Sequence, residues 1–205
     1  MLSILDILSL LLFLPHFVLW KYYSFMLVLS EDILVFCGEK HISNKRLELS
    51  FFTLMRRFPE FRSLFLFRLA RQKPYLSKIL GFFTHPQQLF YIFCEEEFGG
   101  GCYIEHGFST IVCCKKVGKN FRVNQQVTIG WGGRGSSERH SGCPIIGDNV
   151  SIYAGAKVIG NIRIGNNVVI GANCVVNKNV PDNCTVVGVP ARIVRRNGNR
   201  VEECL

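Results

Sequence analysis

One segment specifies how this chain folds: residues 146–176 read IGDNVSIYAGAKVIGNIRIGNNVVIGANCVV. An aliphatic residue returns at every sixth position of this segment, and Asn or Gly follows most of them three residues later. The aliphatic positions are Ile146, Ile152, Val158, Ile164, Ile170 and Val176. Because Asn and Gly enter the left-handed backbone region at least cost, the pattern predicts a turn in every repeat.

The same six-residue period extends toward the N-terminus, before an interruption. The earlier aliphatic positions are Ile111, Val117, Val123 and Ile129. The turn residues predicted to be left-handed are Asn120, Asn149, Gly155, Asn161, Asn167, Asn173 and Asn179. The positions one residue further are small or aliphatic and are also expected to face inward: Val127, Val150, Ala156, Ile162, Val168, Cys174 and Val180. A chain that turns at such regular intervals stacks into a parallel β-helix. An amphipathic helix would need apolar spacings of three and four instead.

Composition divides the 205 residues into two parts. Residues 1–100 hold 15 of the 17 Phe, which predicts a compact, apolar and mainly helical region. We therefore expect an apolar helical region at 1–95, a β-helix at 96–196 with an extruded loop at 130–145, and a C-terminal tail at 197–205.

Positive charge is concentrated in the repeats. Residues 101–205 carry 13 basic and 6 acidic side chains, and the whole chain has a net charge of +9. These basic residues are scattered, without an interleaved row of aromatic residues, so we expect a small polyphosphate ligand and no nucleic acid.

The nine cysteines form no CxxC pair, and their number is odd. They are interpreted as reduced thiols of a cytoplasmic protein, and Cys174 falls on an inward-facing repeat position. Only His106 and His140 occur in the repeat region, with no third ligand at a regular spacing. We therefore expect no metal site.

The first residues are strongly apolar, but Asp6, Pro15 and His16 interrupt them. The stretch is a poor signal peptide and is too short to cross a bilayer, which takes about 20 residues. Two interpretations stay open for residues 2–23. They form either a helix at the inner face of the membrane, with Lys21, Tyr22 and Tyr23 at the headgroup level, or a helix packed within the protein.

Two histidines are candidates for chemistry. The six-residue period breaks between Ile129 and Ile146, where a polar, Gly-rich segment containing Arg139 and His140 is inserted. His106 follows Glu105 at the start of the repeats. A neutral imidazole can remove the proton of a hydroxyl nucleophile near neutral pH.

These motifs together resemble the left-handed β-helix acyltransferases of the hexapeptide-repeat superfamily. The resemblance covers about residues 99–196 and is strongest to the serine acetyltransferases, because of the Glu105-His106 pair and the Glu138-Arg139-His140 triplet. It implies transfer of an acetyl group from acetyl-CoA to a hydroxyl by direct attack, without a metal. It also implies a homotrimer or a dimer of trimers.

The resemblance implies roles for individual residues. His106 would be the general base, Glu105 would contact the amino group of the acceptor, and Arg139 and His140 would hold its carboxylate across a subunit boundary. The groove for coenzyme A would be lined by residues Gly155, Ala156, Ala172, Pro190, Arg192 and Arg195. Arg196 would join the two other arginines at the nucleotide phosphates.

Several features depart from that family. Glu105 replaces Asp, Pro144 does not directly follow His140, and the helical region is short. The carboxylate that orients the histidine is also not evident, although residues 95–97 are all Glu. Three functions therefore stay open: O-acetylation of L-serine in cysteine biosynthesis, O-acetylation of a sugar for a capsule or exopolysaccharide, and a non-catalytic β-helical scaffold.

Overall fold

The computed structural model describes residues 4–23, 26–42, 46–132 and 142–205. The chain forms two compact units, residues 1–87 and residues 88–205. The five helices are α1 (Ile4–Tyr22), α2 (Met26–Glu39), α3 (Leu47–Arg57), α4 (Pro59–Ala70) and α5 (Pro74–Thr84). Prolines open α4 and α5, where a missing backbone N–H costs nothing.

The helical unit has an aromatic core. Trp20 stacks on Phe51 with 5.0 Å between ring centroids. His16 is also buried, with ring contacts to Phe13 and Phe65 at 5.5 Å. Among the described helices, none combines the length and the apolar character that a membrane crossing requires.

A buried ion pair joins α2 to α4. Arg68 Nε donates to Asp32 Oδ2 at 3.0 Å and Arg68 Nη2 donates to Asp32 Oδ1 at 3.1 Å. The two side chains are 4% and 0% exposed, so this pairing offsets part of the cost of burying both charges.

The second unit is built from short strands that stack in three sheets. The first eight are β1 (Phe90–Cys94), β2 (Tyr103–Ile104), β3 (Thr110–Cys114), β4 (Lys116–Val117), β5 (Arg122–Val123), β6 (Thr128–Gly130), β7 (Ile145–Ile146) and β8 (Ser151–Ile152). The others are β9 (Lys157–Ile159), β10 (Arg163–Ile164), β11 (Val169–Ile170), β12 (Val175–Val176), β13 (Cys184–Val187), β14 (Arg192–Arg196) and β15 (Asn199–Cys204). Sheet A has the order β1-β3-β6-β9-β12, sheet B has β10-β7-β4, and sheet C has β15-β14-β13-β11-β8-β5-β2.

All pairings up to β13 are parallel, so the predicted class, a parallel β-helix preceded by helices, is confirmed. Nine of the ten predicted aliphatic positions are at most 1% exposed and form its core. All seven positions predicted to face inward one residue after the turns are buried as well.

The exception is Ile111, which was predicted to face inward and is 45% exposed. Its neighbour Val112 is 1% exposed and pairs with Ile129. The prediction was wrong because the turn before β3 is two residues longer than the other turns from sheet C to sheet A. Ile104 and Val112 are eight residues apart, whereas Val123 and Ile129 are six apart.

The turns from sheet B to sheet C are uniform. Each takes six residues between inward side chains, from Phe98 to Ile104 in the first coil and from Val180 to Val186 in the last. Their asparagines form a ladder of hydrogen bonds between amides, from Asn120 to Asn149 at 2.9 Å, Asn149 to Asn167 at 3.0 Å and Asn167 to Asn183 at 2.9 Å.

Most of the predicted left-handed turns are confirmed. Positive φ angles occur at Asn120, Asn149, Gly155, Asn167 and Asn173. Asn161 and Asn179 do not have one, and those two predictions were wrong. Gly160 takes the left-handed position before Asn161, and the Oδ1 atom of Asn179 accepts a hydrogen bond from Arg163 N at 2.8 Å.

The β-helical unit begins earlier and ends later than the predicted range of 96–196. β1 lies before residue 96 and pairs in register with β3, which makes it part of the first coil. β15 lies in the predicted tail and pairs antiparallel with β14. Neither strand has the six-residue period, so the sequence pattern did not include them.

Candidate active site

His106 stands at the long turn between β2 and β3. Its φ is 63° and that of Gly107 is 54°, two successive left-handed residues. Backbone hydrogen bonds from Gly107 N to Glu105 O at 2.8 Å and from Phe108 N to His106 O at 2.7 Å hold the turn. The His106 side chain is 59% exposed, so the imidazole points out of the apolar core.

Glu105 lies directly against His106. Its Oε1 atom is 3.3 Å from the Nε2 atom of His106, and its Oε2 atom accepts a hydrogen bond from the Tyr103 hydroxyl. A carboxylate facing one ring nitrogen favours the tautomer with the proton on that nitrogen. The other nitrogen, Nδ1, is then the one with a lone pair for a substrate proton.

Tyr103 was not identified from the sequence. It is 1% exposed, and its ring lies 5.0 Å from the Cζ atom of Arg122, its register partner on β5. Tyr103 and Glu105 are two residues apart on an extended segment, so their side chains leave the same face. That spacing was the available signal.

Two of the three other candidate carboxylates are engaged elsewhere. Glu97 lies 3.0 Å from Lys116 Nζ, and Glu96 lies 3.7 Å from Lys115 Nζ. Within the described ranges, the carboxylate in contact with His106 is that of Glu105.

The predicted extruded loop lies in the chain between β6 and β7. Arg139 and His140 lie outside the described residues. The returning end is anchored, because Lys115 N donates to Pro144 O at 2.9 Å and the thiols of Cys143 and Cys113 are 3.3 Å apart. Burial raises the pKa of the Cys143 thiol to about 12, which keeps it protonated.

Three of the residues predicted to bind coenzyme A line two clefts. Pro190 and Arg192 line a cleft of about 660 Å³ together with Val189 and Arg200. Arg195 lines a different cleft of about 510 Å³, beside Asn167 and Asn183.

The remaining predicted groove residues differ in what they expose. Ala156 is fully buried, so its methyl group packs in the core and only its backbone is available to a ligand. Ala172 is exposed, and Gly155 has a φ of 75° with no room for a Cβ, which would lie 2.0 Å from Asn173 Oδ1.

Acidic residues of β15 pair with two of the arginines. Arg192 Nη1 lies 3.3 Å from Glu202 Oε1, and Arg196 Nη2 lies 2.5 Å from Glu203 Oε2. Sequence reasoning missed these partners because residues 197–205 were expected to form a tail.

Comparison with known proteins identifies the repeats. Residues 143–178 match the family described as bacterial transferase hexapeptide (six repeats). The β-helical unit is therefore similar to the hexapeptide-repeat transferases over these residues. This similarity agrees with the expected left-handed coil.

The chain is also similar to curated proteins named serine acetyltransferase. The chain is 37% identical over 151 residues to a serine acetyltransferase of Synechococcus elongatus, covering 71% of this chain and 61% of that protein. It is 42% identical over 145 residues to a serine acetyltransferase of Staphylococcus aureus, covering 65% and 62%. The chain thus spans about three fifths of the length of these relatives.

Solved structures agree with the transferase fold. The serine acetyltransferase of Neisseria gonorrhoeae in complex with serine superposes with a TM-score of 0.58 and 26% identity, covering 84% of this chain and 69% of that one.

Proposed function

We propose that this protein is an O-acetyltransferase that moves the acetyl group of acetyl-CoA to the hydroxyl of L-serine. The observation that carries the proposal is the exposed imidazole of His106 with the Glu105 carboxylate 3.3 Å away. The names of the relatives support serine as the acceptor and cysteine biosynthesis as the context.

The reaction follows from this pair. Nδ1 of His106 takes the proton of the acceptor hydroxyl while the oxygen attacks the thioester carbonyl. The new C–O bond forms, the C–S bond breaks, and the proton on His106 passes to the departing thiolate. Coenzyme A leaves as the free thiol, and no covalent enzyme intermediate is needed.

The binding roles remain proposals. Arg139 and His140 would hold the serine carboxylate, because a guanidinium pairs with a carboxylate through two hydrogen bonds. Gly155, Ala156 and Ala172 would line the pantetheine path, with Pro190 at its end. Arg192, Arg195 and Arg196 would meet the nucleotide phosphates. The site would take acetyl-CoA as acyl donor and use no metal.

The test is a thiol-release assay with acetyl-CoA. We expect release with L-serine and none with L-alanine, which has the same ammonium and carboxylate but lacks the hydroxyl. Release with a sugar in place of serine would support the polysaccharide alternative, which is favoured by the engagement of Glu105 with Tyr103 and His106. No release with any acceptor would support a non-catalytic scaffold and would overturn the proposal.

We also propose that the protein is a trimer or a dimer of trimers, on the basis of the family resemblance, which places Arg139 and His140 at a site shared between subunits. Light scattering on the full chain tests this, and a monomeric mass would contradict a site shared between subunits.

Finally, we propose a cytoplasmic protein that contacts the inner face of the membrane through residues 2–23. The α1 helix supports this with several exposed apolar side chains: Leu8 at 56%, Leu11 at 66%, Leu12 at 51% and Val18 at 48%. Sedimentation with anionic vesicles tests it. A Leu11→Gln variant should sediment less, and an unchanged bound fraction would contradict the proposal.

A further inference from the structure

We propose that Tyr103 and Glu105 act together as positioning residues for His106, and that the Glu105 carboxylate serves the imidazole and not the ammonium group of the acceptor. This inference rests on the proposed function. It answers which carboxylate orients the histidine, and it gives Glu105 a different role from the one that the family resemblance implies.

The Glu105 carboxylate lies between two protein groups. One carboxylate oxygen faces His106 Nε2 at 3.3 Å and the other accepts the hydrogen bond of the Tyr103 hydroxyl. Both oxygens are therefore directed at protein groups. The side chain is only 27% exposed, whereas the imidazole that it contacts is 59% exposed. The carboxylate is thus less accessible to solvent than the imidazole that it contacts.

Tyr103 is held firmly by its contacts with the coil. The side chain is 1% exposed, its backbone N donates to Phe121 O at 2.9 Å, and Tyr103 pairs in register with Arg122. The Arg122 guanidinium lies 5.0 Å from the ring centroid, a cation–π distance. The coil therefore fixes the position of the Tyr103 hydroxyl. This hydroxyl in turn restrains the Glu105 side chain, which is longer and more flexible than that of Asp.

The local backbone restrains Glu105 more than His106. Glu105 N donates to Val123 O at 2.9 Å, which ties the residue to the next coil, while His106 and Gly107 leave the coil. A side chain on a protruding turn has rotational freedom that must be lost before it acts as a base. A carboxylate fixed by the coil supplies that restraint and sets the tautomer with Nε2 protonated.

Tyr103→Phe removes only the hydroxyl and is the decisive variant. With acetyl-CoA and L-serine, we expect kcat to fall about 10-fold, because outer partners of this kind typically contribute 10- to 100-fold in other sites, while KM for L-serine stays within about 2-fold. Tyr75→Phe, on the exposed surface of α5, is the matched control and should change neither constant. A normal kcat in Tyr103→Phe would overturn the proposal.

Glu105→Gln separates the two roles of the carboxylate. If Glu105 orients His106, kcat falls at least about 10-fold and KM for L-serine changes little. A raised KM with an unchanged kcat would show binding of the ammonium group and would overturn the proposal. Thermal unfolding of each variant excludes a loss of folded protein as the cause.

A second measurement does not depend on turnover. Long-range ¹H–¹⁵N correlation spectra of the imidazoles, assigned with His106→Asn, report which nitrogen carries the proton. We expect one neutral tautomer, protonated on Nε2, in the wild type and a mixture in Glu105→Gln and Tyr103→Phe. An identical tautomer population in all three proteins would contradict the positioning role. Absence of acetyl transfer in the wild type would instead contradict the proposed function and leave this measurement intact.

Discussion

His106 Nε2 lies 3.3 Å from Glu105 Oε1 at the one turn from sheet C to sheet A that takes eight residues instead of six. The two extra residues carry the imidazole outward, and the carboxylate stays with the coil. The candidate base, His106, and the carboxylate that restrains it, Glu105, are thus adjacent in the chain. Each can be tested by a single substitution.

Replacing His106 by Asn is expected to lower kcat by 10²- to 10⁴-fold, the usual contribution of a general base. Asn is preferred to Ala here because it tolerates the positive φ of 63° at this position. The matched control is His85→Asn, an exposed histidine that also has a positive φ, of 47°. Turnover within a few-fold of wild type in His106→Asn would exclude this histidine as the base.

Stability of the helical unit is expected to fall as the pH drops from about 6.5 to about 4. Burial lowers the pKa of His16 to about 4, and neither of its ring nitrogens has a hydrogen-bond partner in the part of the chain that the structure describes. Below pH 6.5 the His16 imidazole therefore binds a proton in the unfolded chain but not in the folded protein. Above pH 6.5 the imidazole is neutral in both states. The loss across this window is about 2 to 3 kcal/mol.

Urea unfolding of the full chain at several pH values, followed by the fluorescence of Trp20, measures this effect. In His16→Leu the pH dependence should shrink by that amount, whereas in His85→Asn it should persist. An equal slope in His16→Leu and wild type would show that His16 is not buried in its neutral form.

The Asp32–Arg68 pair is expected to stabilise the helical unit strongly against single substitutions. Arg68→Met should cost about 3 to 5 kcal/mol because it removes two charge-assisted hydrogen bonds from the buried Asp32 carboxylate. The double variant Asp32→Leu/Arg68→Met should be more stable than Arg68→Met alone. As a control, Glu48→Ala removes the exposed pair with Lys21 and should cost far less than Arg68→Met. Additive losses in the double variant would contradict the coupling.

The asparagine ladder predicts that Asn149→Ala destabilises the β-helix by about 1 to 2 kcal/mol. Alanine lacks the tolerance for a φ of 55°, and the amide bonds to Asn120 and Asn167 are lost. Asn161→Ala, at an equivalent repeat position without a positive φ, should cost clearly less. Equal shifts of the denaturant midpoint in the two variants would argue against a role for the left-handed turn.

Gly147→Ala should cost more than about 2 kcal/mol, because the new Cβ would lie 2.8 Å from the backbone carbonyl oxygen of Gly165. Backbone of the next coil cannot move away without breaking its own hydrogen bonds. Gly130→Ala meets no atom of the described residues within 4 Å and should change stability by less than about 0.5 kcal/mol. Thermal melts of both variants provide the comparison, and a stable Gly147→Ala protein would refute the close stacking of the turns.

The coil could be predicted because each inward residue is specified within its own six-residue repeat. Ile152 and Val158 need no information from elsewhere in the chain. The error at Ile111 arose where the turn length changes, which no local period reveals. Tyr103 was missed because its role depends on stacking over Arg122, and this stacking follows from the register between coils. The Asp32–Arg68 pair joins residues 36 positions apart and carries no sequence pattern.

The constant six-residue turn from sheet B to sheet C has a consequence for how this domain can diversify. Its Asn ladder and stacked glycines make any insertion there disrupt every neighbouring coil. Changes in length are instead found on the other two edges, at residues 105–109 and 130–145. An inserted recognition peptide is therefore expected to be tolerated at those two edges and not at the edge between sheets B and C. The same holds for natural variants that acquire a new acceptor.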